Sequence, residues 1–272
     1  MRRHFQLIPA GLLALGLAFA APVAAQSDSE ELIFEAERGP HPVARPIVIT
    51  RPGSYYLVRN IDSYGNQPVI RILADRVTLD LRGHSLRGPG ERQGTGVLIE
   101  GASDVRVFGG HLSRFGIGVQ VVGGTNVAVE GLQIDGEDKG GAPPDVEIGI
   151  MLVETRGARI VSNTITETFL GIFVRGDGSS GNLVADNVVT GGDNGELAIC
   201  YNPAPGQPGG GPHGDLVTGN VMTRYRRGLS LSADTSGNVV RDNTIAYFDF
   251  SIQEATPGTN LIEDNHEIQI LP

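Results

Sequence analysis

The chain has 272 residues and a formal net charge of −10, an acidic balance that disfavours nucleic acid as a partner. Its single cysteine, Cys200, excludes an intrachain disulfide, so packing must supply the stability. With no Trp, 39 Gly and 16 Pro, it suits short strands and tight turns better than helices.

The first predicted element is a leader. A basic start, "MRRHF", precedes the apolar run "LIPAGLLALGLAFA", and Val23-Ala24-Ala25 supplies small residues at the cleavage positions. This reads as a secretory signal peptide over 1–25, whose removal takes Arg2 and Arg3 away and leaves the rest more acidic. No Cys follows the run to carry a lipid, and no other segment is apolar for long enough to cross a bilayer. The expected location is periplasmic or secreted, without membrane insertion. Residues 26–45 are expected to be a tail, and 46–272 one domain.

The domain repeats itself. "GNLVADNVV" (181–189) returns as "GNVVRDNTI" (237–245) and "TNLIEDNHEI" (259–268). Taking the Asn of each "N-x-[VI]" unit as marker gives Asn163, Asn187, Asn220, Asn243 and Asn265, with Gly109 and Gly131 in the same slot upstream. The unit is 22 to 24 residues, with about ten extra in two places. Each unit opens alike, with "GVLIE" (96–100), "GVQVV" (118–122), "GIMLV" (149–153), "GIFVR" (171–175), "ELAIC" (196–200), "GLSLS" (228–232) and "DFSIQ" (249–253). Alternation with period two over such short runs is strand.

Three strands per unit make a coil that stacks on the next by parallel pairing, about 4.8 Å away. Val97, Ile99, Val119, Val121, Ile150, Leu152, Ile172 and Val174 are expected to form inward rows, an apolar face no single coil could bury. The Asn or Gly is expected at a left-handed bend, with inward Asn amides bonding along the stack as a turn ladder. Phe115, Phe169, Tyr225 and Phe248 suggest an aromatic column in the core. Ser179 reads as an exposed turn position.

From about residue 46 to 272 the sequence resembles the right-handed parallel β-helix superfamily with the pectin-lyase-like fold. "ITRPGSYYLVRNI" (49–61) and "RVTLDLRGHSL" (76–86) are similar to the opening coils of bacterial secreted members. The resemblance implies an all-β solenoid of about eight coils. It leaves the function open among polysaccharide lyases, hydrolases, epimerases, tailspikes and non-catalytic proteins. Left-handed hexapeptide helices do not fit the spacing, "GGDNGE" (191–196) is a poor match to calcium-binding nonapeptides, and "GQPGGGPHG" (206–214) lacks a phosphate-cradling Lys.

Chemistry is expected where irregular loops border a regular face. "DGEDKGGAPPDVE" (135–147) and "YNPAPGQPGGGPHGD" (201–215) flank the outer face of the first strands, which holds the substrate cleft in the enzymes this chain resembles. Outward positions there are Glu100, Gln120, Met151, Phe173, Arg175, Ala198, Cys200, Ser230 and Ser232. Around them lie Glu154, Asp177, Asp193, Glu196, Tyr201, His213, Arg226 and Arg227. A lyase would take Arg175 or Tyr201 as base and Arg226 or Arg227 as neutraliser. A hydrolase would take two of Glu154, Asp177, Asp193 and Glu196. His213 is a further catalytic candidate, while Phe173, Arg226, Arg227, Glu100 and Gln120 are candidates for ligand binding. A polysaccharide, acidic because Arg175, Arg226 and Arg227 could pair with uronate carboxylates, is the expected partner. A non-catalytic envelope protein of the same shape is the alternative. No cofactor is expected; calcium has no supporting motif, and no His, Cys or Asp cluster has metal-ligand spacing.

Overall fold

The computed structural model describes residues 31–33, 47–136, 147–202 and 210–270. Every regular element among them is a strand, and every pairing is parallel. The coils wind as a right-handed parallel β-helix of about nine turns, one more than the repeat count suggests. Within the stretch expected as a tail, Glu31–Ile33 pairs with Tyr55–Leu57. The expected leader lies outside the described residues.

Second strands stack into a 10-stranded sheet. First and third strands share a 16-stranded sheet, because in the last coils they fuse: Val221–Leu231 and Thr244–Glu254 each run from a third strand into the next first strand. The three expected stacks therefore form two hydrogen-bonded sheets.

The inward rows are continuous. Val97, Val119, Ile150, Ile172, Ile199 and Leu229 lie in register, as do Ile99, Val121, Leu152, Val174, Tyr201 and Leu231, all with no exposed surface. Together with rows from the other two strand series they form one buried apolar cluster running through the coils.

A glycine column forms the corner between third and first strands. Gly96, Gly118, Gly149, Gly171, Ala198 and Gly228 each directly precede a Val97-row residue. A β-carbon at Gly149 would stand 2.6 Å from the Gly171 carbonyl oxygen and 2.6 Å from Ile165 Cγ2, so close backbone approach selects glycine. This places Ala198 in the corner, fully buried, and not on the outer floor.

The turn after each second strand puts the left-handed residue one place before the Asn. Ser162, Asp186, Asp242 and Asp264 have φ of 56°, 56°, 55° and 52°, and Gly219 has 67°. Gly109 and Gly131, at 73° and 58°, occupy that same place, so the slot below Asn163 holds Leu132, whose strand neighbour Gln133 pairs with Thr164. The Asn itself is free to point inward. Nδ2 of Asn163 donates to Oδ1 of Asn187 at 3.0 Å, and Asn187 to Asn220, Asn220 to Asn243 and Asn243 to Asn265 each at 2.9 Å. Each amide also donates to a second-strand carbonyl of the preceding coil, such as Asn187 to Ile160 at 2.8 Å.

A second ladder runs up the other end of the second strands through Asn182, Asp215, Asn238 and Asn260. It was legible in the sequence, since "GNLVADN", "GDLVTGN", "GNVVRDN" and "TNLIEDN" each carry a polar residue five places before the marker Asn. Ser179 belongs to the same buried turn region. Its hydroxyl donates to the Arg175 carbonyl at 2.7 Å and accepts from the Thr155 N–H at 3.1 Å, so it is structural and not exposed.

The aromatic column is broken. Phe115 and Tyr225 are buried, with Tyr225 hydroxyl 2.8 Å from that of Thr168. Phe169 lies one place along, in the row of Glu147, Glu196, Arg226 and Asp249, and is half-buried. The side chain of Phe248 lies outside the described residues.

Candidate functional site

The outer face of the first strands presents two rows. One runs Arg71, Leu98, Gln120, Met151, Phe173, Cys200, Ser230 and Gln253. The other runs Glu100, Val122, Val153, Arg175 and Asn202. Most of the two loops expected to wall this face, 137–146 and 203–209, lies outside the described residues.

Phe173 is half-buried between Met151 and Cys200, and Arg175 is half-buried between Val153 and Asn202. One residue separates them on the same strand, so both project from one side of it. Arg71 is held by Glu100 on this face, and Gln120 approaches the Met151 sulfur at 4.0 Å. Arg175 makes no ion pair with any described residue.

Arg226 and Arg227 stand apart, at the corner, and are charge-compensated. Arg226 contacts Glu196 at 3.2 Å and Asp249 at 2.7 Å, and Arg227 grips the other oxygen of Glu196. The expected three-arginine patch thus reduces to Arg175 alone, because two carboxylates already occupy the other two guanidinium groups.

Tyr201 points inward, opposite to a base facing substrate. It is fully buried, and its hydroxyl finds no hydrogen-bond partner. Burial first, and the nearby Asp215 charge second, push it well above the ordinary tyrosine range. Cys200 lies on the outer row yet is only 2% exposed, and burial pushes its thiol up to about 12 against the pull of Arg227.

The four carboxylates proposed for hydrolysis fall into two separate pairs. Glu154 and Asp177 follow first strands, whereas Asp193 and Glu196 precede one. A six-residue first strand lies between these ends, about 20 Å of extended chain. Two carboxyls flanking a glycosidic bond stand about 5–9.5 Å apart. Within the pairs, Glu154 caps the Gly178 N–H at 2.7 Å, Glu196 is held by two arginines, and Asp193 sits 3.3 Å from Arg224. Asp177 is exposed, and Gly210 packs against its side chain. His213 is exposed on the turn side, bridging Ser180 and Ser236.

The sequence over residues 75–267 matches the family model described as periplasmic copper-binding protein (NosD). The chain belongs to this NosD family. Its fold is also that of a solved phage tailspike. It is similar to the Dettilon tailspike protein, at 14% identity and a TM-score of 0.54, with 82% of this chain covering 54% of that one. The HK620 tailspike of an E. coli bacteriophage, in complex with pentasaccharide, gives 10% identity and 0.49, with 81% of this chain covering 50% of that one. The endo-xylogalacturonan hydrolase of Aspergillus tubingensis gives 17% and 0.49, with 80% covering 68%. The chain therefore spans about half the length of the tailspikes it matches. No curated protein matches it by sequence.

Copper would need soft or imidazole donors gathered at one point. Among the described residues no three of His, Cys, Asp and Glu are so gathered. Met151 and Cys200 share a row but stand two coil steps apart, about 10 Å, with Phe173 between. The buried Cys200 thiol is held protonated, the opposite of what a copper thiolate requires. The described residues do not fit a copper centre.

Proposed function

We propose that the NosD-family chain is a periplasmic β-helix that binds an acidic polysaccharide along the outer face of its first strands. The observation that carries this reading is the pair Phe173 and Arg175. An aromatic ring for a sugar face and a guanidinium without a carboxylate partner project from one strand of a rigid sheet. Ser230, and Ser232 beyond it, leave room on the adjoining coils, and Gln120 and Asn202 offer amides. Two coil steps span about 10 Å, the length of about two sugar units. The guanidinium fork suits a uronate carboxylate. Binding has better support than cleavage, because in each same-side pair of carboxylates one member is already committed, Glu154 to the Gly178 N–H and Glu196 to two arginines, and the two pairs lie about a strand length apart.

The test is retention on immobilised polygalacturonate against a neutral galactan. Retention of the intact protein on the acidic glycan should fall as salt rises, since the contact is partly exposed. Phe173→Ala and Arg175→Ala should each reduce it with the fold intact by circular dichroism. Retention that both substitutions leave unchanged would remove this face from the reading.

A further inference from the structure

The outer face of the second strands changes character along the solenoid. One outward row runs Thr78, Arg106, Ala128 and Arg159, and continues in register as Leu183, Leu216, Val239 and Leu261. The inward residues beside it, from Leu79 to Val240, have no exposed surface. The core is therefore complete without the four apolar residues outside it. Leu183, Leu216 and Val239 are half-buried, and Leu261 is 51% exposed.

The same coils leave other apolar groups uncovered. Beyond the bend, Val188 and Val221 lie in register and are 42% and 37% exposed. Among the described residues, no large apolar side chain between Leu73 and Val188 is so exposed. An apolar stripe on a face that is polar in the earlier coils is no requirement of folding; it marks contact with a partner. Leu183, Leu216 and Val239 lie on strands paired on both sides, so no partner strand can add there. Contact must come through side chains, which a helix presents along one face.

A carboxylate rim follows the stripe. At the bend after their second strands Asp186, Asp242 and Asp264 hold the left-handed position, exposed, and Glu263 joins them on the last strand. Arg241, 3.7 Å from Asp242, is the one cation among these four strands and their bends, and Arg159 closes the row in the preceding coil. Four carboxylates against one guanidinium select the occupant. A second copy would bring the same acidic excess, and an anionic bilayer would be repelled in the same way. On the opposite flank, a β-carbon added at Gly181 or Gly214 would find nothing within 4 Å, so that side is an open ledge.

We propose that this stripe docks a basic amphipathic helix of a partner protein, its apolar side chains on Leu183, Leu216 and Val239 and its Lys or Arg residues toward Asp186 and Asp242. Three coil steps from Leu183 to Leu261 span about 14 Å, a length that about three helical turns cover. Apolar anchors on one face of the helix supply the affinity, and the flanking charges supply steering and register. The stripe shares no residue with the Phe173–Arg175 face and does not depend on glycan binding.

The intact protein is titrated with three synthetic peptides about three helical turns long, following backbone amide shifts by nuclear magnetic resonance. One is an amphipathic Leu/Lys helix, one has Glu in place of Lys, and one is the Leu/Lys peptide in scrambled order. The Leu/Lys helix should give saturable shifts at Leu183–Asp186, Leu216–Gly219 and Val239–Asp242, the scrambled peptide much weaker ones and the Leu/Glu helix none. Leu216→Ser should weaken the Leu/Lys helix by about tenfold, the scale of one lost apolar anchor. Leu183→Ser gives the same readout on a second coil, and both variants are compared at a temperature where melting curves show them folded. Asp186→Asn with Asp242→Asn should weaken binding and flatten its salt dependence. Absent saturation, equal binding of the Leu/Glu or scrambled peptide, or indifference to both serine substitutions would each overturn the proposal. Sedimentation of the protein alone and with phosphatidylglycerol vesicles tests the other occupants. A dimer or a vesicle complex that Leu216→Ser abolishes would overturn it too, giving the stripe to a second copy or to a lipid surface.

Discussion

The side-chain amide of Asn182 donates to both carboxylate oxygens of Asp215, at 3.2 Å each, while the Asn182 N–H donates to one of them at 2.7 Å. Asp215 is thus a carboxylate in a ladder whose neighbouring rungs are Asn182 and Asn238. It passes the ladder on only through its backbone N–H, which reaches Asn238 Oδ1 at 2.9 Å.

This rung predicts a pH-dependent stability. Burial raises the Asp215 carboxyl from 3.8 to about 6, against the hydrogen bonds from Asn182 and the field of His213. The folded state therefore favours the protonated acid. Its contribution is full below the unfolded value and is lost as pH rises through about 6. A gap of about two units corresponds to roughly 3 kcal/mol at most. Asp215→Asn should raise the melting temperature at neutral pH and flatten its dependence between about pH 4 and 6. Parallel melting curves for the two proteins across that range would show that no buried charge is being relieved.

The main ladder predicts a gradient. Asn187 is fully buried and satisfies the Asn163 N–H, the Asn163 amide, the Ile160 carbonyl and Asn220 Oδ1. Asn187→Val would leave the Asn163 N–H unpaired, remove one bond each from the Asn163 amide and the Ile160 carbonyl, and leave Asn220 Oδ1 only the N–H of residue 187, and should cost about 3 kcal/mol. Asn265 ends the ladder, half-buried, and Asn265→Val should cost about 1 kcal/mol. Ser179→Ala should fall between them, since it removes two buried hydrogen bonds, and exposed Ser236→Ala should be near neutral. Chemical denaturation orders the four; equal midpoints would refute the ladder as a source of stability.

The coil was legible because its signals are periodic. Val97 and Val119 stand at the same place in successive units, and parallel stacking turns that place into a row. The site was harder to read, for reasons that particular residues show. Tyr201 follows Cys200 directly, so alternation sends it to the interior, but a polar hydroxyl in a loop-like context suggested otherwise. Arg226 and Arg227 looked free because their partners, Glu196 and Asp249, lie one coil back and one coil ahead. Charge pairing across coils is set by register, and a register known only to within a residue cannot resolve it. Asp215 is the less legible rung because its position, five before the marker Asn, carries Asn in the neighbouring coils and Asp only here.

The corner column predicts opposite outcomes at two glycines. Gly149→Ala should cost about 1–3 kcal/mol, since the new methyl meets the Gly171 carbonyl and Ile165 and neither can withdraw without moving a strand. Gly181, at φ 65°, has nothing within 4 Å of an added β-carbon. Asn tolerates that conformation, so Gly181→Asn should change stability by no more than about 0.5 kcal/mol. Comparable losses at both positions would mean that backbone conformation, not close approach, selects glycine at the corner.

The arginines predict a separation of stability from binding. Arg227 and Glu196 are both partly buried, and Arg227→Ala would leave Glu196 with only Arg226, whose second contact is Asp249. Removing one partner of a shielded pair costs more than the pair itself contributes, because the remaining charge keeps its desolvation penalty. Arg227→Ala should therefore lower the melting temperature. It should leave retention on an acidic glycan unchanged at a temperature where the variant stays folded, because its guanidinium is already committed to a carboxylate. Arg175→Ala should do the reverse, since no described carboxylate depends on it: little change in melting temperature and a clear loss of retention. Melting and retention measured on the same preparations decide the matter. If Arg227→Ala reduced retention as much as Arg175→Ala, the Glu196 pairing would have to open in the complex, and the binding face would extend from the first strands around the corner to Arg226.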